Sequence, residues 1–533
     1  MKRHFLTVVV AAGMTFPASS RAQGAEQYTL RMIVGGDTLS SEVVQRTATR
    51  LDVDMIDKST GAHWRFGMNL APDGRVASMT EAFRRLAMND TVPFHSVDFT
   101  FGADSVTVQV AGSVAHAQHV PVRAGAVPYV NPSFAMIEQL VRRARAMGGA
   151  VDTVPMFMLA NGQQFPAIVR WVGADSAELH IGATDMRLAV GPDGALRGAS
   201  VPSQRLTVIR EAGVHPLITQ KIDYGAPPNA PYTAEEVTVH TPAGLTFSGT
   251  LTIPKVRQER VPAIVTITGS GTQDRDERIT IVDGYRPFWQ VADTLARRGI
   301  ATLRLDDRGM NGSSAGPADA TSADFANDIR AALAYLRTRP EIDGARLGLV
   351  GHSEGGMIAP MVAASDPSLK GIVLLAGPAY TGRRILDFQQ RNGVNNVPSL
   401  TAKQREDALA QSAAATRALA EQSAWLRYFM DYDPVVAARK VRVPVLILQG
   451  ETDQQVTPEQ ADTLAAAFRA GGDRDVTERK FPATDHLFIA DSVGNPAQYS
   501  ALVSRAVRPE VLGAIADWLV KRLGQPTVRR PIP

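Results

Sequence analysis

The sequence predicts two domains of different class. A mainly antiparallel β-domain spans 23–223, and a doubly wound, mostly parallel α/β domain spans 233–525, with a linker at 224–232 between them and a helical insertion at about 378–440. Three observations carry this expectation. Residues 28–209 consist of short runs with β-branched residues at period two, broken by turn signals, the signature of half-buried antiparallel strands. The stretch Tyr224-Gly225-Ala226-Pro227-Pro228-Asn229-Ala230-Pro231 breaks every periodicity. Beyond it, near-continuous apolar runs alternate with amphipathic stretches, as in a parallel sheet covered by helices on both faces.

In the first region the clearest strand candidates are 28–34, 67–70, 96–101, 105–110, 167–172 and 177–181, with one helix expected at 133–147. Two similar turns, Ala71-Pro72-Asp73-Gly74 and Gly191-Pro192-Asp193-Gly194, hint at two related halves. Arg142, Arg143 and Arg145 read as the solvated face of the helix. In the second region the strand candidates are 263–268, 300–305, 347–350, 371–375, 443–448 and 476–481. Helices are expected at 288–298, 322–339, 355–364, 458–470 and 509–523. The insertion reads as three further helices, the last carrying Trp425, Tyr428, Phe429 and Tyr432, which either line a pocket or pack on the sheet.

The first 22 residues have the layout of a secretory signal peptide. They comprise the basic start Met1-Lys2-Arg3, a mostly apolar stretch too short to span a bilayer, and a small-residue tract ending Ser20-Arg21-Ala22. Cleavage after Ala22 gives a periplasmic or secreted protein without a membrane anchor. The net charge of +3 then belongs to the tag, because losing the three bases Lys2, Arg3 and Arg21 leaves 53 bases against 53 acids. A neutral chain gives no reason to expect a nucleic-acid partner. With no Cys in the chain, a disulfide scaffold, a cysteine nucleophile, a thiolate zinc site and a lipidated N-terminal cysteine are all excluded.

The candidate site starts from Gly351-His352-Ser353-Glu354-Gly355, directly after one predicted strand and at the start of a predicted helix. Gly-x-Ser-x-Gly in that context is a nucleophile elbow. A second match, Gly312-Ser313-Ser314-Ala315-Gly316, is followed by Pro317 and reads as a surface turn. A serine needs a base oriented by an acid, and in this fold class they follow in the order serine, acid, histidine. Of the 10 His, His486 is the one that follows Ser353. Asp453, in the loop after the strand at 443–448, is the favoured acid, with Glu451 its competitor and Asp485 badly placed beside the histidine. One oxyanion donor is expected from the backbone N–H of Glu354, the other from the Gly-rich loop 268–276.

These motifs resemble the α/β-hydrolase superfamily, and within it the bacterial serine carboxylesterases related to dienelactone hydrolases. The resemblance covers about 235–523. It rests on Gly269-Ser270-Gly271-Thr272-Gln273-Asp274-Arg275-Asp276, Asp306-Asp307-Arg308-Gly309, Gly351-His352-Ser353-Glu354-Gly355-Gly356, and Gly450-Glu451-Thr452-Asp453 with Asp485-His486. It implies Ser270 as the second oxyanion donor and a substrate-shaping cap at the insertion. Thr268 departs from the usual histidine of that loop, and Asn311 from the usual glycine of its turn. The expected activity is hydrolysis of a small-molecule carboxylic ester through an acyl-enzyme, with no metal and no organic cofactor. A peptidase of the same fold, an acyl-thioester hydrolase and a non-catalytic binding protein are the alternatives. The acyl chain, the alcohol, the role of the β-domain and the oligomeric state stay open.

Overall fold

A computed structural model describes residues 25–524 except 35–36, 59–61, 86–94, 111–117, 160–161, 183, 218–221, 256–259, 280–281, 283 and 397–400. The expected signal segment lies outside these residues, apart from which the chain divides into two compact units. One takes the described residues of 1–57, 63–83 and 94–218, the other those of 58–62, 84–93 and 219–533.

The first unit is a 15-stranded, largely antiparallel sheet. It runs from Gln118–Pro121 at one edge back through successive strands to Glu26–Val34, and from there across Leu206–Ala212 to Val127–Tyr129 at the other edge. Its helix, Phe134–Met147, is capped by the Ser133 hydroxyl, which accepts from the Met136 N–H at 3.3 Å. One face of the helix is sunk in the sheet's apolar core beside Tyr28, Phe66 and Phe157. The fully buried Glu138 anchors it, accepting from the Tyr28 hydroxyl at 2.9 Å, Arg210 at 2.8 Å and Arg142 at 2.9 Å.

This corrects the solvated reading of the helix arginines. Arg142 also pairs with Asp193, Arg143 donates to the Asp73 carbonyl at 2.9 Å, and Arg145 stacks over Trp171 at 3.7 Å. The two Pro-Asp-Gly turns are therefore the acceptors for neighbouring arginines of one helix.

The second unit holds an eight-stranded sheet in the order Tyr232–His240, Thr246–Pro254, Ala301–Leu305, Val261–Ile267, Ile342–His352, Ile372–Leu375, Val445–Gly450, Val476–Phe481. Thr246–Pro254 is antiparallel to its neighbours, and the pairs from Ala301–Leu305 onward are parallel. Alternate residues of each central strand feed two cores. Ala263, Val265, Leu349 and Ile447 pack beneath helices Ser322–Thr338, Glu354–Ala363 and Glu459–Ala470, while Ile264, Val350 and Leu448 pack beneath Pro287–Ala296 and Pro509–Leu523. Each such buried Val, Leu or Ile side chain contributes about 1.5–3 kcal/mol.

The insertion forms helices Gly382–Asn395, Ala402–Gln422, Ala424–Asp431 and Pro434–Ala438. The last of these is additional to the expected three. Residues expected as a linker are packed rather than loose: the Tyr224 hydroxyl donates to Asp274 at 3.1 Å, and Arg275 lies 4.3 Å over its ring.

Candidate active site

Ser353 sits between the strand Ile342–His352 and the helix Glu354–Ala363, at φ 52° and ψ −117°. A positive φ at a non-glycine residue costs about 1–3 kcal/mol, and the surroundings must hold it. They do so by two backbone bonds, from the Ser353 N–H to the Leu375 carbonyl at 2.9 Å and from the Gly356 N–H to the Ser353 carbonyl at 2.8 Å. The flanking glycines are explained by close approach. A Cβ on Gly351 would lie 2.1 Å from the Gly355 carbonyl oxygen, and one on Gly355 would lie 2.1 Å from that of Ile267.

Ser353, Glu354, Ser270 and His486 line one cavity of about 240 Å³, at the carboxyl ends of the parallel strands. Asp453 stands behind His486, 3% exposed, with Oδ2 at 2.8 Å from the ring Nδ1. Its Oδ1 accepts from the N–H groups of Gln455 and Val456 at 2.7 and 2.9 Å, and Gln449 donates to Oδ2 at 2.9 Å. A carboxyl so supplied with donors is held in one orientation against the ring. With Nδ1–H bonded to it, the other ring nitrogen keeps its lone pair and can act as a base.

Glu451, the competing acid, is exposed. Asp485 is fully buried but turns away from the ring, accepting from the Ile489 N–H at 2.9 Å. Burial, with Asp491 and Asp453 nearby, pushes its carboxyl up to about 7.

The Gly-rich loop is locked by the Asp306-Asp307-Arg308 motif. Asp306 accepts from the Arg275 N–H at 2.8 Å and pairs with its guanidinium at 2.6 Å. Asp307 accepts from the Thr268 hydroxyl and the Gln273 N–H, both at 2.8 Å. Thr268 thus ties the loop down by its own hydroxyl, and Asn311 adopts the left-handed φ of 43° that its turn requires, donating to Asp306 at 2.9 Å. The second Gly-x-Ser-x-Gly match is a turn, but a pinned one. The buried Ser313 accepts from the Ser248 N–H at 3.0 Å, and Ser314 accepts from the Thr246 N–H at 2.9 Å.

Sequence reasoning missed a second buried pair. Glu277 Oε1 accepts from the Gly269 N–H at 2.6 Å and lies 2.8 Å from His352 Nδ1, while His352 Nε2 donates to the His486 carbonyl at 2.9 Å. The rings of His352 and His486 are 4.8 Å apart. Burial works against a charged imidazole, yet the charge and hydrogen bond of Glu277 outweigh it and hold His352 above its ordinary value. The His in Gly351-His352-Ser353 was the available signal, but its partner lies 75 residues away.

The Glu354 side chain, also missed, is 3% exposed and accepts from the Ser322 hydroxyl at 2.6 Å and from the Trp425 indole N–H at 2.8 Å. Burial pushes its carboxyl up, and hydrogen bonds from Ser322, Trp425 and Ser270 pull it partly back. Among the described residues no three His, Asp or Glu side chains gather into a metal-holding group.

A family model described as the alpha/beta hydrolase family matches residues 264–502. The C-terminal domain is an α/β hydrolase. The chain is 26% identical over 285 residues to esterase EstD of Thermotoga maritima, covering 51% of this chain and 65% of that protein. It is 25% identical over 242 residues to YuxL of Bacillus subtilis, described as an uncharacterized peptidase, covering 44% of this chain and 32% of that one. The chain thus spans less than two thirds of the length of either relative. An esterase structure from Pyrococcus furiosus covers 58% of this chain and 97% of its own, with a TM-score of 0.41 and 14% identity.

Proposed function

We propose that this hydrolase is a serine carboxylic-ester hydrolase that works through an acyl-enzyme. The observation that carries the reading is Ser353, held on a left-handed turn in the cavity that His486 also lines, with Asp453 fixing the other side of the ring. Ser353 Oγ attacks the ester carbonyl as His486 takes its proton. The tetrahedral oxyanion is held by the backbone N–H groups of Glu354 and Ser270. Collapse expels the alcohol, protonated by His486, and leaves an acyl group on Ser353. Water activated by the same ring then releases the acid. The likeness to EstD supports an ester rather than a peptide as substrate, and we assign residues 1–22 to export.

Hydrolysis of p-nitrophenyl acetate and butyrate by wild type and Ser353→Ala tests the reading. A loss of about 10³-fold or more in kcat is expected. Equal activity in the two proteins overturns it.

A further inference from the structure

Beside the catalytic cavity lies a second, larger one of about 370 Å³, within the size range of small-molecule pockets. Phe247, Leu305, Phe325 and Ile358 make its lining mainly apolar, although Asp307, Arg308 and Asp328 also reach it. Gly269, Glu354 and Trp425 line both cavities, so these three residues form the wall between them. The wall is bonded shut. The Trp425 indole N–H donates to Glu354 Oε1 at 2.8 Å, the Ser322 hydroxyl reaches the same oxygen at 2.6 Å, and the Trp425 ring stacks on Phe429 at 5.6 Å. Trp425 comes from the inserted helix Ala424–Asp431, whereas Glu354 opens the helix after the nucleophile.

The direction of the substrate follows from the proton transfers. His486 must protonate the leaving alcohol, so the alcohol lies on the His486 side of Ser353. An acyl chain directed away from His486 has Glu354 and Trp425 among the residues that line its cavity. Resting on the ester-hydrolase reading, we propose that Glu354 and Trp425 are the specificity-determining partition of this site. They end the acyl site at short chains, and the apolar chamber behind them holds the rest of a longer acyl chain once the partition is removed.

The test is kcat/KM for p-nitrophenyl esters from acetate to laurate. Wild type is expected to fall steeply beyond butyrate. In Trp425→Ala the octanoate-to-butyrate ratio is expected to rise at least about tenfold, and Phe325→Trp added to that variant, which narrows the chamber, is expected to reverse the gain. Should Trp425→Ala fail to fold by thermal melting, Trp425→Leu removes the same wall with less loss of packing and carries the same expectation. An unchanged chain-length profile in the folded variant, or a gain that Phe325→Trp leaves intact, overturns the partition. Ser353→Ala is run alongside: residual wild-type activity there sinks the ester-hydrolase reading itself, whereas an inactive Ser353→Ala with a flat Trp425 profile sinks the partition alone.

Discussion

One oxygen of Glu277 serves two loops at once. It receives the Gly269 N–H of the Gly-rich loop and faces the His352 ring, which in turn holds the carbonyl of His486. Glu277 itself is 1% exposed and sits at φ 56°, a conformation a non-glycine residue keeps only under constraint. Removing one partner of a buried charged pair leaves the other uncompensated, at about 3–5 kcal/mol. Glu277→Ala is therefore expected to lower the unfolding free energy of the hydrolase domain by that amount and to reduce kcat more than it changes KM. Glu277→Gln, which keeps an acceptor for Gly269, should recover part of both. Denaturant unfolding and steady-state kinetics read the two effects; an Ala variant as stable as wild type contradicts the tie.

At the scale of elements, the strands and helices of the hydrolase domain were legible because each buried strand is a short apolar run bounded by turn residues. Val445–Gly450 is buried throughout, and the run at 443–448 announces it. The glycines around Ser353 announce its place on a strand-to-helix turn, and chain order singles out His486, which lines the same cavity. The Asp306-Asp307-Arg308 motif was visible as letters but not as a lock. Its partners Arg275 and Thr268 lie 31 and 39 residues away, and only the fold brings them together.

The helix arginines misled for the same reason. Nothing local marks Asp193 or the Asp73 carbonyl as their acceptors. In the insertion, Trp425 could not be assigned to pocket or packing from spacing alone, since its indole partner Glu354 is 71 residues distant. Phe429 of the same helix does both, lining the catalytic cavity while buried against Met357.

Across the whole molecule, burial pushes carboxyls of both units up to about 7: Glu42 and Glu81 in the β-unit and Asp485 in the hydrolase domain. For all three, the folded value lies above the ordinary one of 4.5 or 3.8. The fold therefore holds a proton that the unfolded chain has already lost. Below about pH 4 both states are protonated and the groups contribute nothing. As pH rises from about 4 to 7 each unit loses stability, at up to about 1.4 kcal/mol per pH unit for each group, and above 7 the loss is complete. Thermal unfolding followed between pH 4 and 8 should show this decline. Glu81→Gln should make it shallower in the transition of the β-unit, where Glu42 keeps its share, and Asp485→Asn in that of the hydrolase domain; a decline unaltered by both variants contradicts the assignment.

Ser353 is proposed as a nucleophile activated by His486 and Asp453. Labelling the folded protein with a fluorophosphonate and mapping the adduct by peptide mass spectrometry tests it most directly. One phosphonyl group on Ser353, lost in His486→Ala, is expected. No adduct, or an adduct on another serine with Ser353 unmodified, would contradict it.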